Sequence, residues 1–79
     1  MSEARLREAF QTALDLPDDT DWAGLAYAQH EHWDSLGHMA LVAEIEEAFD
    51  ILMETDDVIA MSSYPVAVDM LRTRYDIAL

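Results

Sequence analysis

The sequence predicts a small all-α domain: a four-helix bundle with three longer helices, one short third helix and a long first loop. Three observations carry that expectation. Apolar residues recur at helical spacing in separate stretches, each opened by Ser, Thr or Asp side chains suited to capping a helix. No stretch alternates apolar and polar residues over a useful strand length, and no internal repeat is present. The 79 residues suffice for one domain, taken as 1–79, with a small core and little stability to spare.

Leu6, Phe10 and Leu14, with Ala9 and Ala13 beside them, put an apolar stripe on a first helix from about Glu3 to Asp15. Ser2 is its expected N-cap. Pro17 is its expected stop, because the residue before a proline is pushed out of helical geometry. From Pro17 to Trp33 the pattern is irregular. Asp18, Asp19, Thr20 and Asp21 read as a turn and a cap, with a short helical turn after Asp21. Trp22, Leu25 and Tyr27 are the apolar anchors that would pin this long loop to the core.

The second helix is expected from about Ser35 to Asp50. Leu41, Val42, Ile45 and Phe49 form its main apolar face, and Leu36, Met39 and Ala43 a narrower strip. Glu44, Glu46, Glu47 and Asp50 make its polar side strongly acidic. Thr55 is the expected cap of a short third helix, Asp56 to about Met61, with Asp56 and Asp57 in a first turn that favours negative charge. Ser62 or Ser63 caps a fourth helix that tolerates Pro65 in its first turn. Tyr64, Val68, Leu71 and Tyr75 are its stripe, and Arg72 and Arg74 suit its last turn. The predicted core is Leu6, Phe10, Leu14, Leu41, Val42, Ile45, Phe49, Ile59, Val68 and Leu71.

Four basic residues against seventeen acidic ones give a formal net charge of −13. A field of that sign repels nucleic acid and anionic membranes, attracts basic protein surfaces, and strains the compact state. Salt and divalent cations are therefore expected to stabilise the fold. There is no cysteine to staple it or to ligate a metal. No apolar run approaches the roughly 20 residues of a membrane span, and no signal peptide is legible. The expected setting is the cytoplasm, with the chain as a monomer.

Several site chemistries fail on spacing. A nucleophile elbow needs Gly-x-Ser-x-Gly after a strand, whereas Trp33 occupies the first glycine position before Ser35. His38 lies one helical turn on and could approach the Ser35 hydroxyl, but no oxyanion hole or cleft is evident. His30, Glu31, His32 and His38 suggest a metal site, but His30-Glu31-His32 is not the His-Glu-x-x-His of a zinc site, and exposed loop histidines are the simpler reading. Asp19, Asp21 and Gly24 match three positions of a calcium loop, but Ala23 and His30 fail two others. Ser35 is then either a plain helix cap or an attachment point at a helix N-terminus, where a phosphate is favourably placed.

Asp34-Ser35-Leu36 is followed by Met39, Leu41-Val42, Ile45-Glu46-Glu47 and Phe49-Asp50-Ile51. This run resembles the acyl carrier proteins. In that family the Asp-Ser-Leu serine bears 4′-phosphopantetheine and opens the second of four helices, and the resemblance covers nearly the whole chain. It implies a carrier of thioester intermediates in fatty-acid, polyketide or specialised biosynthesis, not an enzyme. Ser35 would be the attachment site and Asp34 a transferase contact or cap. Leu36, Met39, Glu44, Glu46 and Glu47 would meet basic partner surfaces. The implied partners are a phosphopantetheinyl transferase, an acyl- or aminoacyl-loading ligase and downstream synthases.

The cofactor would supply the thiol, so the chain needs no catalytic residue or metal of its own. His32-Trp33 replace the Gly-Ala frequent in housekeeping fatty-acid carriers, and Ala40 and Ala43 stand where those often have an acid and a methionine. Trp-Asp-Ser-Leu-Gly-His-Met is more similar to stand-alone carriers of specialised pathways, which leaves acyl, hydroxyacyl and aminoacyl cargo open. The rival from another class is an acidic helical adaptor in which Ser35 only caps. Gly37 costs about 0.5–1 kcal/mol against alanine in a helix. A close-approaching partner or arm, or a frayed first turn, would account for it. Met39, Met53, Met61 and Met70 either line an adaptable acyl cavity or fill the core.

Overall fold

The computed structural model describes residues 2–29 and 31–79, Ser2 by its backbone alone. Four α-helices follow in order: α1 (Ser2–Leu14), α2 (Ser35–Phe49), α3 (Thr55–Ala60) and α4 (Tyr64–Arg74). A 3₁₀ turn, Trp22–Gly24, interrupts the long first loop. The expected all-α architecture is therefore the observed one. Its sole strand-like pairing among the described residues is an isolated bridge between Ala26 and Ser63.

Each helix ends for a local reason. Asp15 adopts a left-handed conformation (φ 53°), and the Leu16 amide reaches back to the Gln11 carbonyl. That closure, with Leu16 buried beneath it, stops α1 before Pro17 is reached. Asp50 (φ 55°) and the Ile51-to-Glu46 bond end α2 in the same way. Asp34 caps α2 and Ser63 caps α4, their side chains accepting from Gly37 N and Val66 N. Thr55 is not the cap expected of it. It lies inside α3, whose flanking residue is Glu54 with no side-chain cap bond. The Ser2 cap falls outside the described side chains.

Helices α1 and α2 pack antiparallel. Leu6, Phe10 and Leu14 meet Leu41, Val42 and Ile45 in one buried cluster, and Arg5 donates to the Ala48 carbonyl at the far end. Trp33, at 0 % exposure, is the largest fully buried side chain. The Phe10 ring lies nearly perpendicular to those of Trp22, Trp33 and Tyr64, with centroids 6.1, 5.5 and 5.2 Å apart. Trp33 was absent from the predicted core because it belongs to no periodic stretch.

Two helices turn differently from their apolar patterns. On α4 the buried side is Tyr64, Ala67, Met70 and Leu71, with Val68 half-buried. On α3, Ile59 is 75 % exposed instead of buried, while Asp57 is turned inward at 5 %. The cause is a polar clasp. Arg74 Nε lies 2.7 Å from Asp57 Oδ1, and the Tyr75 hydroxyl donates to Asp57 Oδ2 at 2.6 Å. The same hydroxyl accepts from Glu54 N, so the clasp fixes the start of α3. A carboxylate can be buried when its charge and lone pairs are met, and here satisfying Asp57 outranks hiding Ile59. Phe49 is half-buried against the core.

Candidate functional site

The first turn of α2 is built by Asp34. Its side chain accepts from Gly37 N at 2.9 Å, and its carbonyl from His38 N at 2.8 Å. The bond to Gly37 uses one of the four N–H groups that a helix start leaves over, the bond to His38 is the first of the helix's own ladder, and Ser35 and Leu36 carry two of those that remain. Ser35 stands one residue inside the helix, so its hydroxyl has no capping duty. That hydroxyl is exposed and sits 3.3 Å from the Tyr27 hydroxyl. Reading Ser35 as the cap of α2 fails on this geometry.

The glycine at position 37 is explained by the chain itself. A Cβ there would lie 2.0 Å from the His32 carbonyl oxygen and 3.0 Å from Leu14 Cδ2. The loop before α2 folds back onto its first turn, and only glycine leaves it room. Neither a partner nor fraying is needed to account for Gly37.

His38 is not an exposed loop histidine. It sits half-buried on α2 and spans two elements. The Trp33 indole Nε1–H donates to His38 Nδ1 at 2.9 Å, and His38 Nε2 lies 2.7 Å from the Val58 carbonyl. An indole N–H can only donate and a carbonyl can only accept. The imidazole is therefore neutral in this arrangement, with its proton on Nε2. The two ring planes lie within 16° of parallel. His38 thus ties the last turn of α3 to the start of α2 and does not act on Ser35. Among the other histidines, His32 is exposed and His30 lies outside the described residues.

Tyr27 is held by both backbone and ring. Its amide donates to the Ser62 carbonyl, and the next amide, Ala28 N, to the Trp33 carbonyl. Its ring meets Trp33 and His38 edge-on at 6.3 and 5.5 Å. A cleft of about 150 Å³ opens here, lined by Tyr27, His38, Ile59, Met61 and Ser62. Of the four methionines considered for an acyl cavity, Met61 alone lines it. Met61 and Met70 belong to the core, Met53 packs against it, and Met39 is exposed.

The proposed docking residues separate. Leu36 and Met39 are 84 % and 62 % exposed on the outer side of α2, which Ala40, Ala43 and Glu47 continue. Glu44 turns toward α1, where it lines a groove with Arg5, Glu8, Thr12 and Glu47. Glu46 accepts from Met53 N at 2.8 Å and so fastens the loop after α2. Of the three glutamates Glu47 alone is exposed, at the edge between that groove and the outer side that carries Leu36 and Met39.

All four arginines are engaged away from Ser35. Arg5 meets Ala48, and Arg7 meets Tyr64 and Glu3. Arg72 meets the Leu79 carbonyl, and Arg74 meets Asp57 and Glu54. Among the described residues no three His, Cys, Asp or Glu side chains gather as a metal site, and no helix is long and apolar enough to cross a membrane. Tyr27, Trp33 and His38 are the site residues that sequence reasoning missed or misplaced. The polar-aromatic run around Ser35 was the available signal.

Compared with known proteins, the chain matches no family model, no curated protein and no solved structure.

Proposed function

We propose that Ser35 is the attachment point of a 4′-phosphopantetheine arm and that the chain is a carrier of thioester-bound intermediates. The observation that carries this reading is the division of labour at the start of α2. Asp34 takes the capping role, and the Ser35 hydroxyl is left exposed beside two uncommitted helix N–H groups. A phosphodiester fits there. Its negative charge would meet the positive end of the helix dipole, and the Tyr27 hydroxyl offers a further donor.

The arm would supply the reactive thiol. The chain's own residues supply the rest. Asp34 orders the turn that presents Ser35, and Leu36 and Met39 give a partner an apolar contact next to the serine. The surrounding −13 charge draws in basic docking surfaces, with effects mainly on encounter rate and partner choice. Those partners would be a phosphopantetheinyl transferase, an acyl- or aminoacyl-loading ligase and downstream synthases, meeting a monomeric carrier in the cytoplasm.

Intact mass after incubation with coenzyme A and a broad-specificity transferase tests the reading. One added phosphopantetheinyl group is expected, and none on Ser35→Ala. An unmodified chain, under conditions that modify a control carrier, would leave the acidic adaptor as the better reading.

A further inference from the structure

We infer that Tyr27 is a positioning residue for the modification of Ser35, holding the serine hydroxyl in the orientation from which it attacks. This rests on the carrier reading above. Three observations lead to it. The Tyr27 and Ser35 hydroxyls are 3.3 Å apart, the one side-chain hydrogen bond of the Ser35 hydroxyl among the described residues. The backbone of Tyr27 is fixed on both sides of its loop: its own amide bonds Ser62, Ala26 pairs with Ser63, and Ala28 bonds Trp33. Its ring is braced edge-on by Trp33 and His38, which are themselves locked by the indole–imidazole bond.

The loop also holds a strained residue. Ala28 has φ 64°, a left-handed conformation that is unfavourable for a residue carrying a Cβ. Such a conformation persists where neighbouring contacts over-determine it, and here those contacts are the ones that aim Tyr27.

A phenol is a stronger acid than an alkyl hydroxyl, so Tyr27 is the natural donor of the pair. Its O–H then occupies one lone pair of Ser35 Oγ and fixes the rotamer. The second lone pair and the serine proton point away from Tyr27. In the transfer, Ser35 Oγ forms a bond to the phosphorus on the pantetheine side of the coenzyme A pyrophosphate. The P–O bond to adenosine 3′,5′-bisphosphate breaks, that group departs with the bond's electron pair, and the serine proton passes to a base on the transferase. Tyr27 exchanges no proton in this step. Its contribution is orientational, since a nucleophile held near its attack geometry needs less ordering at the moment of reaction.

Tyr27→Phe removes the hydroxyl alone and keeps the ring between Trp33 and His38. Transferase kinetics with the full chain as substrate, at saturating coenzyme A, read its effect. The variant is expected to be modified to completion but with kcat lowered roughly 2- to 10-fold, the range one hydrogen bond commands. KM for the chain is expected to stay unchanged, because the docking face on α2 is untouched. A melting midpoint equal to the parent's shows that the change is not loss of fold. Equal kcat in variant and parent would overturn the role of Tyr27 while leaving the carrier reading intact, as would a loss confined to KM. A parent chain that accepts no group at all would overturn both.

Discussion

At the scale of single residues, the neighbourhood of Ser35 is set by close steric and hydrogen-bond fits that a one-dimensional pattern carries only in part. Asp34-Ser35-Leu36 announced a helix start, but which of the first two side chains caps it depends on where Gly37 N points. Gly37 looked like a penalty in the sequence, and the packing of His32 against it reverses that judgement. Helix propensity alone predicts that Gly37→Ala stabilises by about 1 kcal/mol. The 2.0 Å approach to a backbone oxygen predicts the opposite, because a carbonyl cannot rotate aside as a side chain can. Overpacking of this kind costs roughly 1–3 kcal/mol. Denaturant unfolding of Gly37→Ala decides the sign, and a variant more stable than the parent would refute the close packing of the loop on α2.

Among the elements, α1 and α2 were legible because their apolar residues recur over three or more turns and meet each other. The shorter α3 was legible in place but not in rotation. Six residues give too few repeats to define a face, and its orientation is set by polar partners far along the chain: Arg74, Tyr75 and His38. The Tyr75 hydroxyl, and after it the Arg74 guanidinium, hold the Asp57 carboxyl below the usual carboxylate range. Burial and the bond to Asp57 in turn push the Tyr75 phenol up. A depressed carboxyl pKa means that the unfolded chain takes up the proton first as pH falls. The clasp's contribution is complete well above the ordinary aspartate value of about 4, and it declines as pH drops through that value toward the folded one. Asp57→Asn should therefore be less stable than the parent at neutral pH. The gap between the two should close on acidification below about pH 4. A gap independent of pH would show that the carboxylate's charge is not what secures α3.

For the whole molecule, charge is the dominant fact that the sequence made plain, and the fold concentrates it. A net −13 lies within a body whose radius of gyration is 11.2 Å. The Debye length is about 30 Å at 0.01 M salt and about 10 Å at 0.1 M, so only the higher salt screens one side of the molecule from the other. The melting midpoint should rise between those conditions by roughly 5 °C, the shift that about 1 kcal/mol produces in a domain of this size. An unchanged midpoint would mean that self-repulsion does not limit stability. What no pattern of charge or periodicity supplies is the chemical fate of Ser35, because attachment leaves no mark on the fold beyond an accessible hydroxyl at the right place. Fragmentation mass spectrometry of the chain purified from its native host addresses that directly. The account predicts a phosphopantetheinyl group on the peptide containing Ser35, free or bearing a thioester-linked cargo whose mass identifies its class. A fully unmodified Ser35, or the group found on another residue, would contradict it.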